Sequence, residues 1–269
     1  MALNIDNLAI EVTRKCNMNC EHCLRGAAQR KNISNNHIYK LLQIVDNVST
    51  LTITGGEPTL NMEALEQIRT CIIYGNADVN SFYMVTNGKA INVDDLAEWS
   101  YNMLNCCSDN EMSSVGFSFD TFHTQTFNWK QVEKQQRNFD RLKEKLEYEY
   151  GIYESPCGGD FVHKHSDNSW GYDSLLQEGR AKDFGSRKNN KSIFEIEDYD
   201  GAIESVYVSE NELYLTCSGW IVAGCNWSYN SMDSRKDLQI CHIDNIYSGD
   251  DLLEAIKNYN KKAEKVVMA

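Results

Sequence analysis

The chain has 269 residues, ten of them cysteine, and a formal net charge of −13. A hydrophobic content of 42% argues against disorder, and the acidic excess disfavours a nucleic acid as substrate, because phosphate backbones are bound by cationic surfaces. No run of residues is apolar and long enough to cross a bilayer and no signal peptide is apparent, so we expect a cytoplasmic protein, without membrane association, whose clustered cysteines bind metal.

The first predicted element is a strand over residues 8–13, which leads into a loop rich in cysteine. Cys16, Cys20 and Cys23 follow one another there with the spacing C-x3-C-x2-C. Thiolates are soft ligands, and three of them on one loop can hold three irons of a four-iron cubane cluster. The fourth iron then keeps an open coordination site, where chemistry can occur.

The next elements alternate between helix and strand. Ser34 is a good N-cap for a helix, and a strand over 50–54 ends in two glycines, whose absent side chains let the backbone approach a ligand closely. Further strands over 80–86 and 114–119 alternate with helices, of which the last and most charged spans 129–150. Such β/α repeats predict a parallel sheet with right-handed crossovers, curled into a full or partial barrel with ligands at the strands' C-terminal ends.

Two segments carry a resemblance to a known family. The cysteine loop and the segment from Thr52 to Pro58, with the sequence TITGGEP, resemble the cluster loop and the GGEP motif of the radical SAM superfamily. The resemblance implies an α/β fold with a partial (β/α)6 TIM-type barrel, and a 4Fe–4S cluster on Cys16, Cys20 and Cys23. It further implies an enzyme that cleaves S-adenosylmethionine (SAM) reductively and abstracts hydrogen from a substrate by means of a 5′-deoxyadenosyl radical. Its electron donor would be a protein such as flavodoxin or ferredoxin.

The same resemblance assigns residues to the binding of SAM. His22 stands where the family usually has an aromatic residue, and its ring is expected near the adenine. Ser118 and Asp120 match an S-x-D motif that meets the ribose or carboxylate. Arg180 lies in a Gly-Arg-Ala tripeptide similar to that of peptide-modifying members and offers a fork for a carboxylate. The complete predicted set is His22, Gly55, Gly56, Glu57, Pro58, Asn87, Ser118, Asp120 and Arg180.

The pattern changes after residue 200, where short strands precede a final amphipathic helix over 250–261. This layout resembles the C-terminal extension called SPASM or twitch, which predicts a barrel domain over 1–190 and a small module, a β-hairpin plus a helix, over 191–269. In relatives the module carries auxiliary iron–sulfur clusters, for which the candidate ligands here are Cys157, Cys217, Cys225 and Cys241. Because their spacing is wide, a module that packs without a cluster stays open as an alternative.

The extension favours a peptide or protein as substrate, with a small molecule as the alternative. A glycyl-radical activase is a second hypothesis, since such enzymes share the N-terminal motifs. A third is a non-catalytic metal-binding sensor or interaction module, in which His22 joins the three cysteines around zinc. That third hypothesis leaves the GGEP motif unexplained, and the sequence names no catalytic acid, base or hydrogen donor.

Overall fold

The computed structural model describes residues 1–89, 91–109, 112–120, 123, 128–153, 160–165, 177–183, 193–201 and 204–267. Its strands are β1 (Ala2–Thr13), β2 (Asn47–Gly55), β3 (Asp78–Thr86), β4 (Ser114–Ser118), β5 (Val162–His165), β6 (Glu195–Tyr199), β7 (Ser205–Leu215), β8 (Trp220–Ala223) and β9 (Gln239–His242). Its α-helices are α1 (Asn35–Ile44), α2 (Met62–Tyr74), α3 (Val93–Leu104), α4 (Trp129–Tyr150), α5 (Tyr229–Ser234) and α6 (Gly249–Val267). No helix within these residues is long and apolar enough to cross a membrane.

All nine of these strands belong to one open sheet with the order β5-β4-β3-β2-β1-β7-β8-β9, and β6 pairs with β7. The six strands from β5 to β7 in that order are parallel. The remaining strands pair antiparallel. The predicted α/β class and unclosed parallel sheet are therefore confirmed. The sixth parallel strand, β7, lies beyond residue 190, so the chain on both sides of the predicted domain boundary contributes to the same sheet; the boundary itself stays a prediction.

The two faces of β1 differ in chemistry because successive side chains of a strand point to opposite sides. Leu8 and Ile10 are fully buried in the large core beneath the helices. Ala9 belongs instead to a smaller apolar cluster on the other face, and Glu11 and Thr13 continue that face as buried polar residues. The inner side of the sheet thus becomes polar toward the C-terminal end of β1, where the cysteine loop begins.

Helix positions agree with the sequence patterns in most places. Ser34 caps α1 by accepting a hydrogen bond from the backbone N–H of Asn36. α4 has the predicted bounds and ends at Gly151, which has a φ of 72°. The helical spacing of apolar residues predicts that the first helix reaches Val48, but α1 ends at Ile44 and Val48 is a buried residue of β2. Apolar spacing continues across the boundary because both elements face the same core.

Candidate functional site

The three clustered cysteines lie on the loop after β1. Cys20 is buried, and Cys16 and Cys23 are partly exposed. Burial raises the pKa of Cys16 to about 11 and that of Cys20 to about 12, and the neighbouring thiols add to the shift of Cys20. The metal-free thiols of Cys16 and Cys20 are therefore protonated at neutral pH, and a metal must displace their protons when it binds.

The segment 177–183 packs directly on this loop. The backbone N–H of Arg180 donates to the carbonyl oxygen of Cys23 at 3.0 Å, and its Nε donates to that of Cys20 at 2.6 Å. Gly179, with a φ of 56°, lies so close that a Cβ atom there would stand 2.1 Å from the carbonyl oxygen of Leu24. Arg180 therefore fixes the cysteine loop, a contact that its motif did not predict.

The turn after β2 packs on the loop from another side. A Cβ atom on Gly55 would stand 2.3 Å from the carbonyl oxygen of Thr13, and one on Gly56 would stand 2.4 Å from that of Lys15. The N–H of Gly56 donates to Thr13 at 2.7 Å, and the N–H of Glu57 donates to Lys15 at 2.8 Å. The two glycines thus allow a close approach between the turn and the cysteine loop.

Glu57 lies inside the protein, only 2% exposed, and its side chain connects the turn after β2 to the end of β3. Its carboxylate accepts hydrogen bonds from the hydroxyl of Thr59 at 2.6 Å, the hydroxyl of Thr86 at 2.7 Å and the N–H of Asn87 at 2.7 Å. Burial raises the pKa of Glu57, and these hydrogen bonds oppose that shift. The side chain of Asn87 in turn donates to Oδ1 of Asn17 at 2.8 Å, which connects the end of β3 to the cysteine loop.

Asp120 and two histidines form a compact group beside the loop. The carboxylate of Asp120 is hydrogen-bonded to Nδ1 of His123 at 2.6 Å and accepts from its backbone N–H at 2.9 Å. Burial would raise the pKa of Asp120, but the bonds to His123 outweigh it and hold that pKa below its usual value. His22 packs edge-on against His123, and burial lowers the pKa of His22 to about 4, so its ring is neutral. The ligand atoms of the three residues lie within 4.8 Å of one another, close enough to hold a metal ion.

One cavity of about 440 Å³ unites these parts. It is lined by all three clustered cysteines and by every residue that the sequence predicts for SAM, namely His22, Gly55, Gly56, Glu57, Pro58, Asn87, Ser118, Asp120 and Arg180. The sequence placed these residues at the C-terminal ends of different strands, and the parallel sheet brings those ends together.

The cavity also has lining residues that the sequence did not single out, among them Tyr83, His123, His165 and Tyr229. The hydroxyl of Tyr83 is 2.5 Å from Nε2 of His165, whose other neighbour is Nε2 of His163 at 3.2 Å. Burial raises the pKa of Tyr83 to about 12 and lowers that of both histidines. The one signal for this group was the alternation of His163 and His165, which places both on one face of β5.

Of the candidate auxiliary ligands that the structure describes, Cys225 packs against a different apolar cluster from Cys217 and Cys241. Cys217 follows β7 and its thiol donates to the carbonyl oxygen of Glu11 at 3.1 Å, whereas Cys225 lies beyond the other end of the β7–β8 hairpin. Cys241 pairs with Ile221 in the sheet and packs against the large core, while Cys225 packs against the smaller cluster. Cys157 lies outside the described residues, so its part in an auxiliary cluster stays a prediction.

The cluster loop, the glycine turn and the cavity together define the class of this protein. The chain belongs to the radical SAM superfamily, whose family model matches residues 10–154. It is 32% identical over 144 residues to a GTP 3′,8-cyclase of Clostridium acetobutylicum, a match over 49% of this chain and 41% of that protein. An uncharacterized protein of Methanocaldococcus jannaschii is 32% identical over 97 residues, which are 34% of each chain. The match thus spans well under half of these relatives.

The fold is shared with the structure of native anSMEcpe with bound AdoMet and Cp18Cys peptide. The TM-score is 0.52 at 14% sequence identity, over 98% of this chain and 84% of that one. The α/β sheet is thus the partial barrel of the superfamily, whose cofactors are a 4Fe–4S cluster and SAM. The residues present fit both groups: three soft thiol donors and the glycine turn line the same cavity, and the absence of Cβ atoms at Gly55 and Gly56 lets the turn pack on the cysteine loop.

Proposed function

We propose that this protein cleaves SAM reductively and abstracts hydrogen from a peptide or protein substrate, as a post-translational modification. The observation that carries the proposal is the single cavity, which joins three cysteine ligands to all the residues assigned to SAM. When bound, the cluster would pass one electron from a protein such as flavodoxin or ferredoxin to SAM, which would break its C5′–S bond to give methionine and a 5′-deoxyadenosyl radical.

Each part of the cavity has a role in this proposal. Cys16, Cys20 and Cys23 bind the cluster as thiolates. The backbone of the Gly55–Pro58 turn binds the amino group of SAM, while Glu57 holds that turn against β3 through its buried carboxylate. The neutral ring of His22 packs near the adenine.

Ser118, Asp120 and Arg180 complete the SAM site in this proposal. The hydroxyl of Ser118 and the carboxylate of Asp120 suit the hydroxyls of the ribose. Arg180 holds the cluster loop through the carbonyl oxygen of Cys20 and directs the remaining donors of its guanidinium to a carboxylate. Asn87 ties the end of β3 to the loop and so keeps the two halves of the site together.

The charges of the cavity favour a peptide over a nucleoside triphosphate such as the one named for the Clostridium relative. A triphosphate needs several Arg or Lys side chains around it. Among the described residues that line the cavity, Arg180 is the single Arg or Lys, and the cluster loop already engages it through Cys20 and Asn19. A peptide presents neutral amide groups instead, and the anSMEcpe structure shows that this fold accommodates one beside AdoMet.

The test of the reaction is SAM cleavage by anaerobically reconstituted protein. With dithionite and SAM, the wild type should form 5′-deoxyadenosine, and Cys16→Ala should form none. Cys71→Ala is the matched control, because Cys71 is a buried residue of α2 outside the cavity. A wild type that carries a fully loaded cluster and yet forms no 5′-deoxyadenosine would contradict the proposal, and so would protein that binds zinc in place of iron and sulfide.

The substrate class is tested by the fate of the abstracted hydrogen. A protein digest from cells grown in deuterated medium should transfer deuterium to 5′-deoxyadenosine, and an unlabelled digest should not. Deuterated GTP serves as the comparison. Transfer from GTP, and none from the peptides, would replace the peptide substrate with a nucleotide while leaving SAM cleavage intact.

A further inference from the structure

The base of the cysteine loop is tied to the C-terminal part of the chain by a buried arginine. Arg14 is 0% exposed and stands two residues before the first cysteine ligand. Its Nη1 and Nη2 donate to the two carboxylate oxygens of Asp233 at 2.5 and 2.9 Å, a bidentate contact across 219 residues of sequence. Its Nε donates to Glu11 at 2.5 Å, and its charge lies over the ring of Tyr229, 4.7 Å from the centroid.

Arg14 also closes the loop on itself. Its backbone N–H donates to the carbonyl oxygen of Lys31 at 2.8 Å, and its own carbonyl oxygen accepts from the N–H of Gln29 at 2.9 Å. Nη1 of Arg14 reaches the side-chain oxygen of Gln29 at 3.1 Å. Both ends of the loop that carries the cysteines therefore meet at one guanidinium, which Asp233 holds in place.

A second arginine repeats the contact on the far side of the cysteines. Arg25 donates to the backbone carbonyl oxygens of Cys225 and Trp227, the latter at 2.8 Å, and lies over the ring of Tyr214. The N–H of Tyr229 returns a bond to the carbonyl oxygen of Arg25 at 3.2 Å. The cysteine loop thus has a C-terminal partner before its first ligand and another after its last.

The chemistry of these contacts favours a positioning function. Arginine forms planar bidentate pairs that fix both distance and direction, and removing one partner of a buried charge destabilises the protein. Within the loop, the N–H of Cys23 donates to the carbonyl oxygen of Cys20 and the N–H of Gly26 donates to that of Cys23. Both hydrogen bonds join near neighbours in the sequence, so contacts with other parts of the chain must set the orientation of the loop. Asp233 and the carbonyls of Cys225 and Trp227 supply several of those contacts.

We propose that the segment from Tyr214 to Asp233 sets the geometry of the cluster loop, with Asp233 as a positioning residue that acts on the 4Fe–4S cluster through Arg14. In this role the C-terminal part of the chain serves the first cluster, whether or not it holds a cluster of its own. The inference rests on the cluster being bound by Cys16, Cys20 and Cys23, and it does not depend on the substrate.

The test compares Asp233→Asn with Asp237→Asn. Asparagine keeps the size of Asp233 but loses the charge and one of the two acceptor oxygens. Asp237 is a nearby carboxylate that pairs with Arg235 at 2.8 Å on the surface, so its variant controls for lost charge. In the metal-free chains, hydrogen exchange of the backbone over residues 14–31 should be at least about tenfold faster in Asp233→Asn and unchanged in Asp237→Asn.

The cluster itself gives the second measurement. After reconstitution, Asp233→Asn should hold less iron than wild type, and SAM should change the electron paramagnetic resonance spectrum of its reduced cluster less than it changes the wild-type spectrum. Asp237→Asn should match wild type in both. If Asp233→Asn fails to fold, Arg25→Lys replaces it, because lysine keeps the charge but its side chain is shorter than the arginine whose Nη1 donates to both carbonyl oxygens.

Equal loop exchange, iron content and spectra in Asp233→Asn and wild type would overturn the inference. So would a rise in exchange spread evenly over the whole chain, which is the mark of a general loss of stability. A wild type that loads its cluster but does not cleave SAM would instead count against the proposed function, so the two failures are distinguishable.

Discussion

Gly56 shows how a single absent side chain organises the site. Its backbone lies against the carbonyl oxygen of Lys15, one residue before the first cysteine ligand, with no space for a Cβ atom. The sequence motif suggested that the glycines admit a ligand, and the structure adds that they admit the cluster loop itself. A larger residue must therefore displace the loop before it affects any cofactor.

We predict that Gly56→Ala lowers the iron content after reconstitution and weakens SAM-dependent changes in the spectrum of the cluster. The added Cβ atom would stand 2.4 Å from backbone, which cannot rotate away as a side chain can. Gly151→Ala is the control: it has positive φ but open space around it, so it should cost about 1 kcal/mol of stability and leave iron binding unchanged. Equal iron content in both variants would refute this reading of the turn.

Glu57→Gln should destabilise the metal-free chain by about 2–4 kcal/mol, because an amide N–H₂ would face donors in place of one acceptor oxygen. Both carboxylate oxygens are engaged, one by Thr59 and Thr86 and the other by the N–H of Asn87. Urea unfolding measures the loss. Surface substitutions usually change the free energy of unfolding by less than about 0.5 kcal/mol. A loss that small in Glu57→Gln would show that the buried carboxylate does not stabilise the turn as described here.

At this scale the sequence predicted which residues line the cavity but not what most of them contact. Motifs placed Glu57, Asp120 and Arg180 near SAM. The structure shows Glu57 bonded to Thr59, Thr86 and Asn87, Asp120 bonded to His123, and Arg180 bonded to the cluster loop. A motif records residue types at a spacing, whereas these partners come from other strands and loops that only the folded sheet brings near.

At the scale of the elements, the contact between Asp233 of α5 and Arg14, which follows β1, makes the free energy of unfolding depend on pH. Burial would raise the pKa of Asp233, but hydrogen bonds and the charge of Arg14 outweigh it and hold that pKa below its ordinary 3.8. A carboxyl with a depressed folded-state pKa contributes stability above its unfolded pKa and loses it as pH falls through the folded value. The contact should therefore be at full strength at neutral pH and fail in acid below pH 3.8.

We predict that Asp233→Asn lowers the unfolding free energy of the metal-free chain by about 1–3 kcal/mol at neutral pH, since the carboxylate is partly exposed and solvent screens it. The difference from wild type should shrink toward zero at pH values below the folded-state pKa of Asp233, where the wild-type carboxyl is also neutral. Urea unfolding at both pH values measures it. A difference that is the same in acid would mean that the charge of Asp233 contributes nothing.

Element positions were largely predictable because hydrophobic periodicity and caps are local signals. The predicted helix over 129–150 agrees with the structure. Two features were not local. β1 begins at Ala2 rather than near residue 8, and β7 pairs parallel with β1 as the sixth barrel strand. Such pairing depends on neighbours about 200 residues away in the sequence.

At the scale of the whole molecule, the positions of the C-terminal cysteines predict how many irons each chain binds. Cys225 packs against the smaller apolar cluster, whereas Cys217 and Cys241 pack in or against the large core on the other face of the terminal strands. We predict about four irons and four sulfides per chain after reconstitution, the content of one cubane. A Cys217→Ala, Cys225→Ala, Cys241→Ala triple variant should keep them. About eight irons in wild type, reduced to four in the triple variant, would show that these cysteines do gather around a second cluster.

The distance along the chain between Arg14 and Asp233 also bears on how the protein matures. Arg14 is made 219 residues before its carboxylate partner. At about 5–20 residues per second, translation needs roughly 10–40 s to add that length. We expect the cysteine loop to gain its contact with Asp233 only after that interval, so iron that reaches the nascent thiols earlier would meet a loop without it.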